Sequence, residues 1–225
     1  MIHRLIRPVL RFPTVLLLAS VFASITLAGC GSASAASMVD SAGREVSVPG
    51  KVERIVSLAP SATESLFAMG AGEMIVGTDD FSNYPAAAAN ITKVGALSPD
   101  IEQIVALDPD LVVGAFITAP EVIEKIEAAE IAVWITDSKE VRGVADAIRL
   151  LGKAVGQEEA AEKVASGLLS EIELIVEIVA TSEQRPRVFH ELDATNPAKP
   201  YTVGPGNFVH DLITLAGGEI GRAHV

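Results

Sequence analysis

Side chains that could carry out catalysis are scarce in this sequence. His190-Glu191 begins like the zinc-binding H-E-x-x-H motif, but Ala194 occupies the position of the second histidine. No phosphate-binding loop, dinucleotide-binding glycine pattern or G-x-S-x-G nucleophile elbow occurs. A zinc site needs three or four ligands, which the few histidines do not supply. We therefore expect no catalytic residue and no metal ion held by side chains alone.

Two loops carry residues that suit binding better than catalysis. The first, Asp79–Pro85, follows a predicted strand and contains Phe81 and Tyr84, and the second, residues 192–205, also follows a predicted strand and contains Tyr201. Ligands of open α/β sheets lie outside the carboxyl ends of strands. Because tyrosine has a flat apolar face and a hydroxyl, the loops predict a site for a large planar ligand with polar edges. The alternative is that both tyrosines are ordinary loop residues.

Three further residues are expected at the same rim. Pro60 and Ser61 follow the predicted strand Arg54–Leu58, and Glu191 closes the predicted strand Arg187–Glu191. All three are therefore candidate ligand-binding residues, together with the aromatic residues of the two loops.

The elements that must position these residues alternate between strand and helix. Short β-branched runs at 54–58, 74–78, 111–114 and 131–135 predict strands. Segments between them predict helices, and this alternation is typical of an α/β fold around a mainly parallel sheet. The sequence predicts a Rossmann-like lobe over residues 38–156.

Three helix starts are predicted from local patterns. Ser61-x-x-Glu64 and Thr118-x-x-Glu121 match the capping box, in which the first side chain accepts a backbone hydrogen bond. Ser98-Pro99 predicts a third start, because proline is tolerated in the first turn of a helix.

A long helical segment follows this lobe. Its apolar face predicts a connecting helix within residues 157–184, and a new strand and helix then predict the start of a second α/β lobe over residues 185–218. The last seven residues, EIGRAHV, match the translated start of a common sequencing adapter. We therefore expect residues 219–225 to be an artefact and the second lobe to be truncated.

The amino terminus has the pattern of an export signal. Residues 1–29 combine three arginines and no acid with a short apolar run. Leu27-Ala28-Gly29-Cys30 resembles the lipobox of bacterial lipoproteins, which predicts lipid attachment at Cys30 and a flexible Gly/Ser/Ala tether over residues 30–37. Removing the signal makes a chain of net charge −12 still more acidic, so nucleic acid is not an expected partner.

Several sequence blocks in order resemble one known family. RIVSLAPSATESLFAMGAGEMIVGTDDFSNYP, KVGALSPDIEQIVALDPDLVV and the Y-T-x-G-x-G-x-F stretch before L-A-G-G resemble the periplasmic binding proteins for cobalamin, haem and ferric siderophores. These are substrate-binding components of ABC importers. The resemblance covers about Val39 to Gly218. It implies two lobes joined by one long helix, with the ligand between them and no permanent cofactor.

The resemblance also implies ligands and partners. The D-F-S-N-Y-P loop is more similar to the cobalamin-type members, so a corrinoid is expected first and a ferric chelate second. A haem carrier of the same family, in which a residue such as His190 could be an axial ligand, remains an alternative, as does a lipid-anchored surface enzyme with its catalytic residues in the missing lobe.

Glu102 matches a family glutamate that docks onto permease arginines, and it also suits a solvated helix start. The expected partners are therefore a permease and its ATPase, a small-molecule ligand and, through a lipid anchor, the outer face of a membrane.

Overall fold

The structure is a computed structural model that describes residues 34–193, 195–196, 199 and 201–221. A hairpin precedes a parallel sheet, and the elements are β1 (Ala36–Val39), β2 (Glu45–Val48), β3 (Ile55–Ser57), β4 (Ile75–Thr78), β5 (Leu111–Ala115) and β6 (Ala132–Thr136). The four later strands pair in parallel in the order β4-β3-β5-β6. The predicted α/β fold with a mainly parallel sheet is thus confirmed.

Helices connect the strands of this sheet and continue beyond it: α1 (Pro60–Ala68), α2 (Ile101–Ala106), α3 (Pro120–Ala128), α4 (Val141–Ala154), α5 (Glu158–Ala180) and α6 (Phe208–Leu215). The 23-residue α5 corresponds to the predicted long helix and is about 35 Å long at 1.5 Å per residue. Among the described helices none is both long and apolar enough to cross a bilayer.

The core occupies both faces of the sheet because neighbouring residues of a strand point in opposite directions. Ile55, Val113 and Trp134 are buried on the side of α1, α4 and α5. Val56 and Val112 are buried on the side of α2 and α3. Trp134 is fully buried, as its apolar strand predicts. A sheet covered on both faces explains why its strands are continuous apolar runs.

The helix starts differ from the local patterns. Helix α1 begins at Pro60, and Ala59 is its N-cap without a side-chain hydrogen bond, so the predicted capping box at Ser61 is wrong. Helix α3 begins at Pro120 in the same way. Proline fixes φ near its helical value and fits the first helical position, which moves the start to the proline itself. Helix α2 is capped by Asp100, whose carboxylate accepts from the Gln103 N–H at 3.0 Å, rather than by Ser98-Pro99.

The chain after α5 forms short strands: β7 (Arg187–Val188), β8 (Glu191–Asp193), β9 (Tyr201–Thr202) and β10 (Glu219–Ile220). The single strand predicted over 187–191 is wrong because its two ends pair with different partners. β7 pairs in parallel with β10, whereas β8 pairs antiparallel with β9. Glu191 therefore begins a strand instead of closing one.

Two of the predicted boundaries concern the amino-terminal segment. β1 begins at Ala36, which is paired with Val48, so ordered structure starts inside the predicted tether 30–37. Cys30 and the predicted signal 1–29 lie outside the described residues.

Candidate ligand-binding site

Four segments meet at one edge of the central sheet. They follow β3, β4, β5 and β6 and comprise residues 58–61, 79–85, 116–119 and 137–140. Because the four strands are parallel, their carboxyl ends lie side by side. This edge is where ligands bind in open α/β sheets. We call it the carboxyl edge.

Buried hydrogen bonds hold the loop that follows β4. Asp79 is 1% exposed, and its carboxylate accepts from the backbone N–H of Phe81 at 2.7 Å and of Ser82 at 3.2 Å. The Ser82 hydroxyl also donates to Asp79 and lies 2.8 Å from the Thr63 hydroxyl, which itself donates to Ser57. Side chains at the end of β3, in α1 and in the loop thus form one network.

A lysine adds three more bonds beneath the same loop. The Lys93 ammonium donates to the Thr78 hydroxyl at 2.9 Å, to the Ala88 carbonyl at 3.4 Å and to the Ser82 carbonyl. All three partners of the ammonium group are therefore oxygen atoms of the protein itself. The loop is fixed from below, and Phe81 and Tyr84 project from it with 63% and 67% of their surface exposed.

A cavity of about 510 Å³ separates the carboxyl edge from the chain that follows α5. Phe116, Asp137 and Ser138 line it from the edge, and Tyr201 and Asn207 line it from the other side. The cavity therefore has aromatic rings on both sides and polar groups around them. That combination suits a flat ligand whose faces are apolar and whose rim makes hydrogen bonds.

A smaller cleft of about 60 Å³ lies elsewhere on the same edge. Pro60 and Phe81 line it together with Leu97 and Ile117. The exposed apolar surface at the carboxyl edge therefore extends from the loop after β4 to the loop after β5.

The structure brings some of the predicted residues together and leaves others apart. Pro60 and Phe81 share the small cleft, Ser61 lines a neighbouring apolar cavity, and Tyr201 lines the large one. Tyr84 and Glu191 are exposed but line none of these three cavities of the described chain.

Phe116 and Ile117 are two residues that the sequence reasoning missed. They directly follow β5 and are 71% and 58% exposed, although both are large and apolar. The signal was present, since the rule applied to the loops after β4 and β7 applies equally to the end of β5. Phe116 and Ile117 lie in the short loop between the end of β5 and Pro120, the first residue of α3, and their side chains are not buried in the core.

One acid and one base, Asp137 and Lys139, line the large cavity. Asp193, which is paired with Tyr201 across β8 and β9, has a pKa below its ordinary value because the Thr195 hydroxyl and then the Thr195 N–H donate to it. Within the described residues no group of three or more His, Cys, Asp or Glu side chains could hold a metal ion. The site as described therefore offers hydrogen bonds and apolar faces.

One side chain fastens α6 beside the carboxyl edge. The Asp211 carboxylate accepts from the Val141 N–H at 2.7 Å, at the start of α4. The N-cap of α4, Glu140, makes no side-chain cap hydrogen bond, so Asp211 supplies the acceptor that this helix start lacks. The bond thus sets the distance between the two helices next to the cavity.

A parallel sheet with an aromatic carboxyl edge, followed by one long helix and the beginning of further α/β structure, defines an α/β ligand-binding protein. The profile of the periplasmic binding protein family matches residues 55–222, and the chain belongs to that family. The family is one of binding proteins.

Three similar proteins illustrate its range. The vitamin B12-binding protein of Salmonella paratyphi A is 34% identical over 170 residues, covering 74% of this chain and 61% of the relative. The uncharacterized ABC transporter substrate-binding lipoprotein YvrC of Bacillus subtilis is 26% identical over 217 residues, covering 88% and 68%. The periplasmic haem-binding protein RhuT of Roseiflexus sp. RS-1, in its apo form, superposes with a TM-score of 0.67 at 30% identity, covering 74% and 65%.

The chain is shorter than these relatives. It spans 49% to 68% of the length of the first curated proteins that it matches.

Proposed function

We propose that the protein is the extracytoplasmic solute-binding component of an ABC importer. It captures a corrinoid or a ferric chelate between two lobes and delivers it to a permease. The observation that carries the proposal is the cavity of about 510 Å³ with Phe116 on the carboxyl edge and Tyr201 opposite. The names of the B12-binding and haem-binding relatives support it.

The ligand chemistry follows from the lining of this cavity. The rings of Phe116 and Tyr201 can cover the two faces of a flat macrocycle or chelate, while Asp137, Ser138 and Asn207 can reach its polar rim. A corrinoid is the first candidate because the loop with Phe81 and Tyr84 resembles that of the cobalamin-type members of the family. A ferric chelate is the second candidate, and the likeness to RhuT supports haem as the alternative.

The proposal includes a location and an anchor. Lipidated Cys30 would hold the domain at the outer face of the cell membrane, and the name of the lipoprotein relative YvrC supports this. We expect Cys30→Ser to release the protein from the membrane fraction.

Glu102 is the proposed contact with the permease. It is exposed in the first turn of α2, where Asp100 already supplies the cap. Its carboxylate makes no hydrogen bond or ion pair with the described residues, so it is available to an arginine of a partner. Charges of this kind orient an encounter and add affinity once they lose water.

The binding proposal is tested by titrating the protein with cyanocobalamin, haemin or a ferric siderophore and recording amide chemical shifts. Shifts are expected in residues 79–85 and 116–119. Phe116→Ala should weaken binding about ten- to a hundredfold, because burying an aromatic side chain contributes roughly 1.5–3 kcal/mol. Ile178→Ala is the matched control, since Ile178 is also exposed and apolar but lies on α5.

Two outcomes would overturn the proposal. One is the absence of shifts at the carboxyl edge with all three compounds, and the other is an equal loss of affinity in the control variant. Mass analysis of the ligand after incubation addresses the enzyme alternative, because a carrier returns its ligand unchanged.

A further inference from the structure

Side chains, instead of a further strand, close the sheet along β6. This strand is the last in the order β4-β3-β5-β6, and a strand at the edge of a sheet presents backbone N–H and C=O groups that need partners. Residues 40–44, which connect β1 to β2, lie along the outer side of β6 and bond to it. We call them the hairpin turn.

Two charged side chains of the hairpin turn bond to the middle of β6. The Asp40 carboxylate accepts from the Ile135 N–H at 3.0 Å, and the Arg44 guanidinium donates to the Val133 carbonyl at 3.2 Å. Asp40 is 2% exposed and also accepts from the backbone N–H groups of Ala42 and Arg44. These bonds fix the hairpin turn against the strand.

Ser41 makes two further bonds at the point where β6 ends. Its hydroxyl donates to the Ile135 carbonyl at 3.3 Å and accepts from the Asp137 N–H at 2.9 Å. A hydroxyl has one hydrogen to donate and two lone pairs, so one side chain can satisfy both groups. Because β6 ends at Thr136, the second bond holds the first residue of the loop that follows the strand.

The peptide group between Thr136 and Asp137 has a second partner on its other side. Its N–H bonds to Ser41, and its carbonyl, which belongs to Thr136, accepts from the Phe116 N–H at 3.0 Å. A trans peptide group is planar, and its N–H and C=O point in opposite directions. Ser41 and Phe116 therefore hold one rigid unit from its two sides.

This rigid unit belongs to the wall of the proposed ligand cavity. Phe116 and Asp137 both line the cavity of about 510 Å³, whereas Ser41 does not line it within the described chain. If the peptide N–H turned away from Ser41, the carbonyl would turn away from the Phe116 N–H at the same time. The ring on the carboxyl edge and the neighbouring carboxylate would then both change position.

We propose that Ser41 is a positioning residue for ligand binding. It orients the Thr136–Asp137 peptide group and, through that group, the Phe116 backbone and the Asp137 side chain in the cavity. This inference rests on the proposed function, because it takes the cavity of about 510 Å³ as the ligand site. It adds a residue outside the cavity on which affinity depends.

The first part of the test needs no ligand. In Ser41→Ala the amide signals of Phe116 and Asp137 should shift, and deuterium exchange of the Asp137 amide should accelerate about tenfold or more, since its acceptor is lost. The amides of Phe81 and Ser82 should keep their positions, because Asp79 holds that loop independently. Unshifted Phe116 and Asp137 amides would overturn the inference.

The second part measures affinity with cyanocobalamin and haemin as the probes, under conditions in which the amide spectra show folded protein. Ser41→Ala should weaken binding about fivefold, in line with the loss of a positioning hydrogen bond. Ser41→Thr keeps the hydroxyl and should restore affinity to within about twofold. Ser37→Ala is the matched control, because the Ser37 hydroxyl bonds to Glu45 within the same hairpin, and it should leave affinity unchanged.

The outcomes separate this inference from the proposed function. Unchanged affinity in Ser41→Ala, or an equal loss in Ser37→Ala, overturns the role of Ser41 and leaves the proposed function standing. Failure of Ser41→Thr to restore affinity also overturns that role, because the hydroxyl would then not be the group that matters. If the unchanged protein binds neither probe, the inference falls together with this ligand assignment.

Discussion

At the scale of the residue, a single carboxylate determines the shape of the loop that presents Phe81. Asp79 is buried and accepts hydrogen bonds from two backbone amides and one hydroxyl of the loop that it begins. A buried donor that loses its acceptor costs its full desolvation free energy. Removing the Asp79 carboxylate would leave several donors without an acceptor at once, so its contribution to the loop exceeds that of a single hydrogen bond.

Asp79→Ala should therefore lower the free energy of unfolding by about 1–3 kcal/mol and loosen the loop. Urea unfolding measures the first effect, and amide shifts of Phe81 and Ser82 measure the second. Asp80→Ala is the control, because Asp80 is exposed, and a surface change of this kind stays within about 0.5 kcal/mol. Equal effects of the two substitutions would contradict the role assigned to Asp79.

A second carboxylate predicts a pH dependence. Hydrogen bonds from Arg149 and then from Ser166 lower the pKa of Glu162 from 4.5 to about 2. A lowered folded-state pKa gives stability that is present above pH 4.5 and lost as the pH falls towards 2. The pair is exposed, so the effect is reduced by solvent and salt.

Glu162→Gln should therefore flatten the acid limb of the stability curve between about pH 4.5 and 2, and added salt should flatten it in the unchanged protein. The measurement is the midpoint of thermal unfolding as a function of pH. Glu171→Gln, at an exposed acid in the interior of α5 away from its first turn, should leave that limb unchanged. An unaltered limb in Glu162→Gln would show that the bonds to Arg149 do not stabilise the fold.

At the scale of the element, α4 and α5 approach each other closely at one glycine. A Cβ atom added at Gly152 would lie 2.2 Å from the Cβ of Ala161, which is too close for any real contact. The chain then turns between the helices at Gly156, whose φ is 70°. Because Gly152 and Ala161 are small, the backbones of α4 and α5 can approach closely. The first turns of α5 are therefore packed against α4.

Gly152→Ala should lower the free energy of unfolding by about 1–3 kcal/mol through overpacking, although alanine is the better helix former. Gly167→Ala, on α5 with no atom within 4 Å of the added carbon, should instead stabilise by up to about 1 kcal/mol. Urea unfolding of both variants gives the comparison. Two changes of the same sign would contradict the close approach.

Local pattern predicted the strands of the central sheet well, and the strand after α5 and the helix starts poorly. Strands such as β5 are buried on both faces, so an apolar run marks them wherever they occur. Ser61 fits a capping pattern, but the helix begins one residue earlier, at Pro60, because proline is favoured at the first helical position. The bond between Asp211 and Val141 joins residues 70 apart in sequence, and no local pattern contains it.

At the scale of the whole molecule, the proposed ligand site and the proposed permease contact lie on different elements. The ligand residues are at the carboxyl edge and in the chain after α5, while Glu102 is in the first turn of α2. Binding and delivery should therefore be separable by substitution.

In cells that produce the protein together with its permease, Glu102→Arg should reduce ligand uptake about tenfold or more, because facing like charges cost several kcal/mol at an interface. Ligand affinity of the purified variant should stay within about twofold, since no ligand contact changes. Glu121→Arg is the control, as Glu121 is another exposed acid in the first turn of a helix. Wild-type uptake by Glu102→Arg would assign Glu102 to helix capping alone.

The hydrogen bond from Val141 to Asp211 gives the molecule a built-in indicator of its own opening. The acceptor belongs to α6 and the donor to α4, so the amide proton of Val141 is shielded only while the two helices stay together. Its rate of exchange with deuterium in the solvent therefore measures how often α6 moves away from α4. One proton thus reports on how often the two helices separate beside the cleft, with or without a ligand inside it.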